Sequence, residues 1–135
     1  MLYPPCNVDP DGTIELPPGA AIKVGQTPVL APTVDHALGL YPIEIWDDLT
    51  RRFDSLGDLR YEARLLLQLV KSNAVKIDIS ESNRILIPEQ LLRLGQLGDR
   101  VLTVSTEDHF ELWSPEIWFD RDADARNDAS THDVA

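Results

Sequence analysis

The seven residues LYPIEIW at positions 40–46 return as LWSPEIW at 112–118, an offset of 72. Two further blocks follow in the same order. VLAPTVDH (29–36) falls on VLTVSTEDH (101–109) with one residue inserted, and TIELP (13–17) falls on RILIP (84–88) at an offset of 71. Three matched blocks in one order imply a duplicated structural unit. At 135 residues the chain is one ordinary domain, or two small half-domains that share a core.

The second copy is the clearer of the two. In AVKIDIS (74–80) Val75, Ile77 and Ile79 alternate with Lys76, Asp78 and Ser80, the period of a half-buried strand. The polar cluster SESN forms a turn, RILI is a short β-branched run stopped by Pro88, and the two runs are expected to make a hairpin. PEQLLRLG is a short helix with Pro88 at its first position and Gly95 behind it. RVLTVS and HFELW form a second hairpin across Glu107 and Asp108, and the Ser114 hydroxyl caps the helix that follows. The first copy repeats this plan with damage. DPDG supplies its turn, Pro4 and Pro5 spoil the opening strand, and PPGAAIKVGQ is a poor helix. Between the copies PIEIWDDLTRRF and DLRYEARLLLQLVKSN are both helical. In the second of these Asp58 caps, and Leu59, Ala63, Leu66, Leu67 and Val70 form an apolar stripe.

Charge narrows the function. The net charge is −11, unevenly spread. Residues 1–50 hold one base against seven acids, residues 51–76 six against three, residues 77–119 three against eight, and residues 120–135 two against five. A protein that binds nucleic acid neutralises phosphates, so an acidic chain needs a local basic surface, and only the middle of this one supplies a patch. Neither a run of about 18 apolar residues nor a signal peptide is present, so the expectation is a cytoplasmic protein without a membrane partner. Cys6 is the sole cysteine, so one chain builds neither a disulfide nor a cysteine-based metal site, and neither metal nor cofactor is expected.

With the repeat laid out, the chain resembles the MraZ family, whose members carry two AbrB-like units in tandem. The resemblance covers roughly residues 6–119 and rests on RILIPEQLL, on LYPIEIW and LWSPEIW, and on the helical linker between the halves. It implies an α+β, mainly β fold: a pseudo-twofold swapped-hairpin, or double-split, β-barrel made of two tandem AbrB-like repeats with peripheral helices. Residues 1–119 would form one domain, with repeats at about 6–57 and 74–119 joined by a helix at about 58–73, ahead of a disordered acidic tail at 120–135. The resemblance further implies a homo-oligomeric ring, nucleoid-associated, that binds repeated promoter DNA and regulates transcription of the division and cell wall gene cluster.

The family pattern is Asp, three residues, Arg in the first hairpin turn of each half, on the DNA-facing surface. Here Asp9 matches the acid while Thr13 stands in place of Arg. In the second half Arg84 matches the base, Ser80 replaces the acid and Asn83 takes the usual Gly position. Arg84 and Asp9 are therefore the candidate DNA-binding residues. A guanidinium forks onto a phosphate or a guanine edge and is held in place by a paired carboxylate, which Arg84 lacks within its own turn. The plainer readings make Arg84 a solvated strand end and Asp9 a turn former. Arg60, Arg64, Gln68 and Lys71 form a polar helix face, exposed, set against the acidic surface of a neighbouring subunit, or in contact with phosphates. His36 and His109 follow aspartates at matching repeat positions and are hairpin-turn residues, since no nucleophile, third ligand or phosphate loop accompanies them. Trp46 and Trp118 pack their helices inward or against a second subunit. No enzyme is indicated. The alternative to the regulator is a degenerate oligomeric scaffold that binds protein partners with little DNA affinity.

Overall fold

The structure is a computed structural model that describes residues 1–17, 26–55 and 60–121. It is α+β and mainly strands. The first copy supplies β1 (Cys6–Asn7), β2 (Thr13–Glu15), β3 (Val29–Pro32), β4 (Leu38–Tyr41) and the helix α1 (Ile43–Asp54). The linker helix is α2 (Tyr61–Ser72). The second copy supplies β5 (Val75–Lys76), β6 (Arg84–Leu86), α3 (Glu89–Leu94), β7 (Arg100–Ser105) and β8 (Phe110–Trp113). A last helix, α4, spans 115–121.

The expected pairing inside each first hairpin is not what forms. The turn at 80–84 closes, but its two strands then part: β5 pairs with β3 and β6 with β2. In the same way β1 pairs with β7 rather than with β2. The halves are thus laced together strand by strand. One sheet runs β1-β7-β8-β4-β3-β5, and β2-β6 is a separate two-stranded ribbon. Among the described residues this ladder is open, ending at β1 and β5, so the hydrogen bonds do not draw a closed barrel.

The register carries the repeat's symmetry. Ile14 is opposite Ile85 at the centre of the ribbon, and Gly39 is opposite Glu111 at the centre of the β4–β8 pair. These partners are related by the sequence offsets of 71 and 72. An antiparallel pair in which a residue faces its own repeat equivalent is what a twofold relation between the copies requires. The core follows the same relation. Ile14 and Ile85, Leu16 and Ile87, Leu38 and Phe110, and Leu40 and Leu112 are all buried in one cluster. In the ribbon β2 and β6 bury only their central isoleucines, whereas β4 and β8 also bury Gly39 and Trp113 on their other face, Trp113 in a second small cluster with Ala37 and Leu102.

Helices α1 and α2 lie outside this core, while α3 contributes the buried Leu91 to it. Neither α1 nor α2 contains a buried residue. The inward line of α2 is Ala63, Leu67 and Val70, half-buried as the stripe requires. Leu66 of that stripe is turned outward at 48% exposure, alongside Leu65, Leu69 and Tyr61. Lys71 ties α2 to α1 through Asp54, Nζ to Oδ1 2.9 Å, and Gln90 of α3 donates to Asn73 at 2.6 Å. Asp58, Leu59 and residues 18–25 of the weak helix lie outside the described residues, as does the tail from 122. Helix α4 itself continues through Arg121, so it takes in the first two residues of the expected tail. Pro88 caps α3 rather than opening it. The Ser114 hydroxyl donates to the Glu116 carboxylate at 2.8 Å, so it holds the acid of the first turn instead of a backbone N–H.

Candidate nucleic-acid interface

The two turns that flank the β2–β6 ribbon are built alike. In the first, the Asp9 N–H donates to the Thr13 carbonyl and the Gly12 N–H to the Asp9 carbonyl, at 2.9 and 2.8 Å. In the second, the Ser80 N–H donates to the Arg84 carbonyl and the Asn83 N–H to the Ser80 carbonyl, both at 2.9 Å. Gly12 and Asn83 each adopt a positive φ, 95° and 62°. Glycine reaches this region without steric cost, and asparagine is one of the few side-chain-bearing residues that does so readily. Each turn is also bonded to the opposite half: Ile87 donates to the Gly12 carbonyl at 3.0 Å, and Leu16 to the Asn83 carbonyl at 2.9 Å.

The two positions differ in what they add. A Cβ at Gly12 would lie 2.7 Å from the Ile87 carbonyl oxygen, so this turn admits nothing larger. Asn83 has room, and its side-chain amide donates to the Leu16 carbonyl at 2.9 Å, a second tie between the halves. Nothing in the sequence signalled that bond, because its partner is 67 residues away.

The lacing supplies Arg84 with the partner that its own turn lacks. Arg84 Nη1 lies 3.4 Å from Asp9 Oδ2, across the boundary between the halves. The expectation of an unpaired Arg84 is corrected: Ser80 stands in its turn, and the carboxylate comes from the other copy. The contact is long for a charge-assisted hydrogen bond and made at one nitrogen, so it is a loose guide rather than a clamp. With both side chains nearly half exposed, its net stabilisation is only about 0–1 kcal/mol.

The surroundings are acidic. Glu15 is the strand partner of Arg84. The Asp11 carboxyl is held below its ordinary range, first by the backbone N–H and hydroxyl of Thr13 and to a smaller degree by the charge of Arg84. Asp78 and Glu81 complete the segments 7–15 and 78–84, which together carry five carboxylates and one cation.

A second polar cluster lies at the β7–β8 end. The sequence equates His109 with His36, but the bonding separates them. Thr33 N–H donates to the Ala37 carbonyl, and Thr106 N–H to the His109 carbonyl, both at 2.9 Å. The counterpart of His109 is therefore the buried Ala37. His36 remains a turn residue at φ 66°. The His109 ring lies 2.7 Å from Asp108 and 3.6 Å from Glu111, and it stacks on Tyr41 with centroids 4.7 Å apart. Tyr41 reaches it by folding over Gly39, where a Cβ would collide with the ring. The carboxylate of Glu111 raises the His109 pKa, Asp108 adds to this, and partial burial works against both. The imidazole in turn lowers Glu111, helped by the Trp113 indole N–H at 3.1 Å. Burial, then the charges of Glu111 and Asp108, push the Tyr41 hydroxyl up to about 12. Trp46 leans on Tyr41 and Trp118 meets Trp113 edge-on at 5.2 Å, so both tryptophans pack their helices against the sheet. Among the described residues no three His, Cys, Asp or Glu side chains gather where a metal ion could be held.

Known proteins resemble this chain over most of its length. It is 31% identical over 117 residues to the transcriptional regulator MraZ of Pseudomonas savastanoi pv. phaseolicola, covering 83% of this chain and 78% of that one. The chain belongs to the MraZ family. MraZ of Roseiflexus castenholzii is 30% identical over 112 residues, and MraZ of Leuconostoc citreum 28% over 112, each covering 83% of this chain and 78% of the relative. The model of the family described as "MraZ protein, putative antitoxin-like" matches residues 71–135, which contain the whole second copy. Among the described residues no helix is long and apolar enough to cross a membrane.

Proposed function

We propose that this chain is a DNA-binding regulator of transcription that presents the β2–β6 ribbon and its two turns to the duplex. The observation that carries the reading is Arg84, exposed on the ribbon and aimed by an aspartate from the other copy. The relatives named transcriptional regulator MraZ support it. In this reading the chain acts in the cytoplasm on the nucleoid, without enzymatic activity. It assembles as a homo-oligomeric ring on promoter repeats of the division and cell wall gene cluster. The outward apolar face of α2, Tyr61, Leu65, Leu66 and Leu69, suits burial by a second copy. A ring also answers the charge problem, because affinity for phosphate scales with the number of cations that reach it, and each copy brings one Arg84. Residues 1–119 act as one unit of two repeats joined by the α2 segment. The exchange of β1 and β5 between halves supports a double-split barrel as its architecture.

The second reading is an oligomeric scaffold that binds a basic protein surface. The five carboxylates around Arg84 favour it. Titration against DNA from upstream of the gene separates the two. Binding that weakens with salt and disappears in Arg84→Ala supports the regulator. No binding at about 50 mM salt by an oligomer that light scattering shows to be intact leaves the scaffold.

A further inference from the structure

The twofold relation between the turns also fixes what stands opposite the Arg84–Asp9 contact. In the ribbon Ile14 faces Ile85, Glu15 faces Arg84 and Thr13 faces Leu86. Exchanging the strands about the Ile14–Ile85 pair carries Arg84 onto Thr13. Asp9 and Ser80 close their turns by the same backbone bonds, so the exchange carries Asp9 onto Ser80. The image of the Arg84–Asp9 contact is therefore Thr13 with Ser80. In sequence each half has lost one member of a charged pair. In space one corner has kept both members and the other has lost both.

We infer that each chain has one anion-binding corner, Arg84 with Asp9, and one neutral corner, Thr13 with Ser80, and that it engages a nucleic-acid backbone from one side only. The inference rests on the DNA-binding reading and adds a polarity to it. A face charged at both corners would meet a duplex equally well in either direction. With one corner neutral each direction keeps a single phosphate contact, and reversing the direction moves that contact to the other end of the face. At the neutral corner the hydroxyls serve the turn itself. The Ser80 Oγ accepts from the Arg84 N–H at 3.1 Å and shares a hydrogen bond with the Ser82 hydroxyl at 3.0 Å. The Thr13 N–H donates to Asp11 at 3.0 Å. This also explains why the loss is tolerated: the backbone bonds that hold the turn ask nothing of these side chains' charge.

The test installs the missing pair. Ser80→Asp, Thr13→Arg and the double variant are compared with the wild-type chain, first without DNA. The carboxylate introduced by Ser80→Asp is titrated by NMR alone and together with Thr13→Arg. The expected result is a midpoint lower by roughly half a unit or more in the double variant. Equal midpoints would mean that positions 13 and 80 are not neighbours, which overturns the inference whatever the DNA result. Salt dependence of DNA binding is then measured. The double variant should steepen the slope by about 0.9 per bound chain, roughly a threefold to fourfold change between 50 and 200 mM salt for each additional phosphate neutralised. A wild-type slope equal to that of the double variant overturns one-sided engagement. If the wild type binds no DNA, the regulator reading fails, and the carboxylate titration still decides the pairing of the corners.

Discussion

The turn at Asp9–Thr13 and the turn at Ser80–Arg84 have the same backbone bonds and almost no chemistry in common. Both place a residue at positive φ, and both hand a carbonyl to the opposite half. One uses glycine because the Ile87 carbonyl leaves no room, and the other uses asparagine, whose amide makes a further bond. What the copies have kept is what the shared core and the lacing demand. What they have let drift is the charge on the outward face, where an ion pair contributes little to folding. The divergence of the halves therefore maps function more than stability.

The largest expected effect tests the shared core. Ile14→Ala and Ile85→Ala each remove a buried side chain from the centre of the ribbon and should cost about 3 kcal/mol in urea unfolding. Because the two residues face each other, their double variant should cost less than the two single costs added together. Strict additivity would break the claim that both halves meet there.

Next comes the difference between the turns. Gly12→Ala forces a Cβ against the Ile87 carbonyl at an unfavourable φ and should destabilise by about 1–3 kcal/mol. Asn83→Gly keeps the φ and loses only the amide bond, about 1 kcal/mol or less. Equal losses from the two substitutions would erase the contrast drawn between them.

The His109 cluster has no counterpart at Ala37 and should make the two ends of the sheet respond differently to pH. His109 is raised in the folded state, so its stabilisation is complete below the ordinary value of 6.5 and is lost as pH climbs through the raised pKa. Glu111 is lowered, so its share is present above the ordinary 4.5 and is lost as pH falls through the depressed pKa. His109→Ala should lower stability by about 1 kcal/mol at pH 5–6, and the gap to wild type should narrow on the alkaline side. A gap in thermal midpoint that widens with pH would contradict the assignment.

The smallest effect on folding belongs to Arg84→Ala, within about 0.5 kcal/mol, because the contact with Asp9 is loose and exposed. Its effect on salt-sensitive DNA binding should be the largest of any single surface substitution. A destabilised Arg84→Ala variant would mean that the residue holds the fold together, and the comparison of corners would have to be redrawn.

Most strands and helices were legible in the sequence, since the alternation of Ile77 and Ile79 with Asp78, and the matched Leu40 and Leu112 ahead of each terminal helix, state which side is buried. The hairpin partners were not. A local turn signal at SESN says that the chain reverses, but not that the two strands then bind to different neighbours. The same limit hid the partner of Arg84. The family pattern puts a carboxylate four residues upstream, where Ser80 stands, while Asp9 arrives from 75 residues away. The histidines are not equivalent, because the sequence match puts one extra residue into the second copy, whereas the bonded loop is one residue longer in the first, Thr33–Ala37 against Thr106–His109.

By itself the sequence pointed to two copies of one unit and to most of the residues that each copy buries. These follow from periodicity and composition, which act over a few residues. Only the tertiary structure decided which strands pair, who faces Arg84, and that both vacant charges fall at one corner. Those outcomes come from burying two incomplete apolar faces against each other about a twofold axis, and no local stretch of the chain contains that axis.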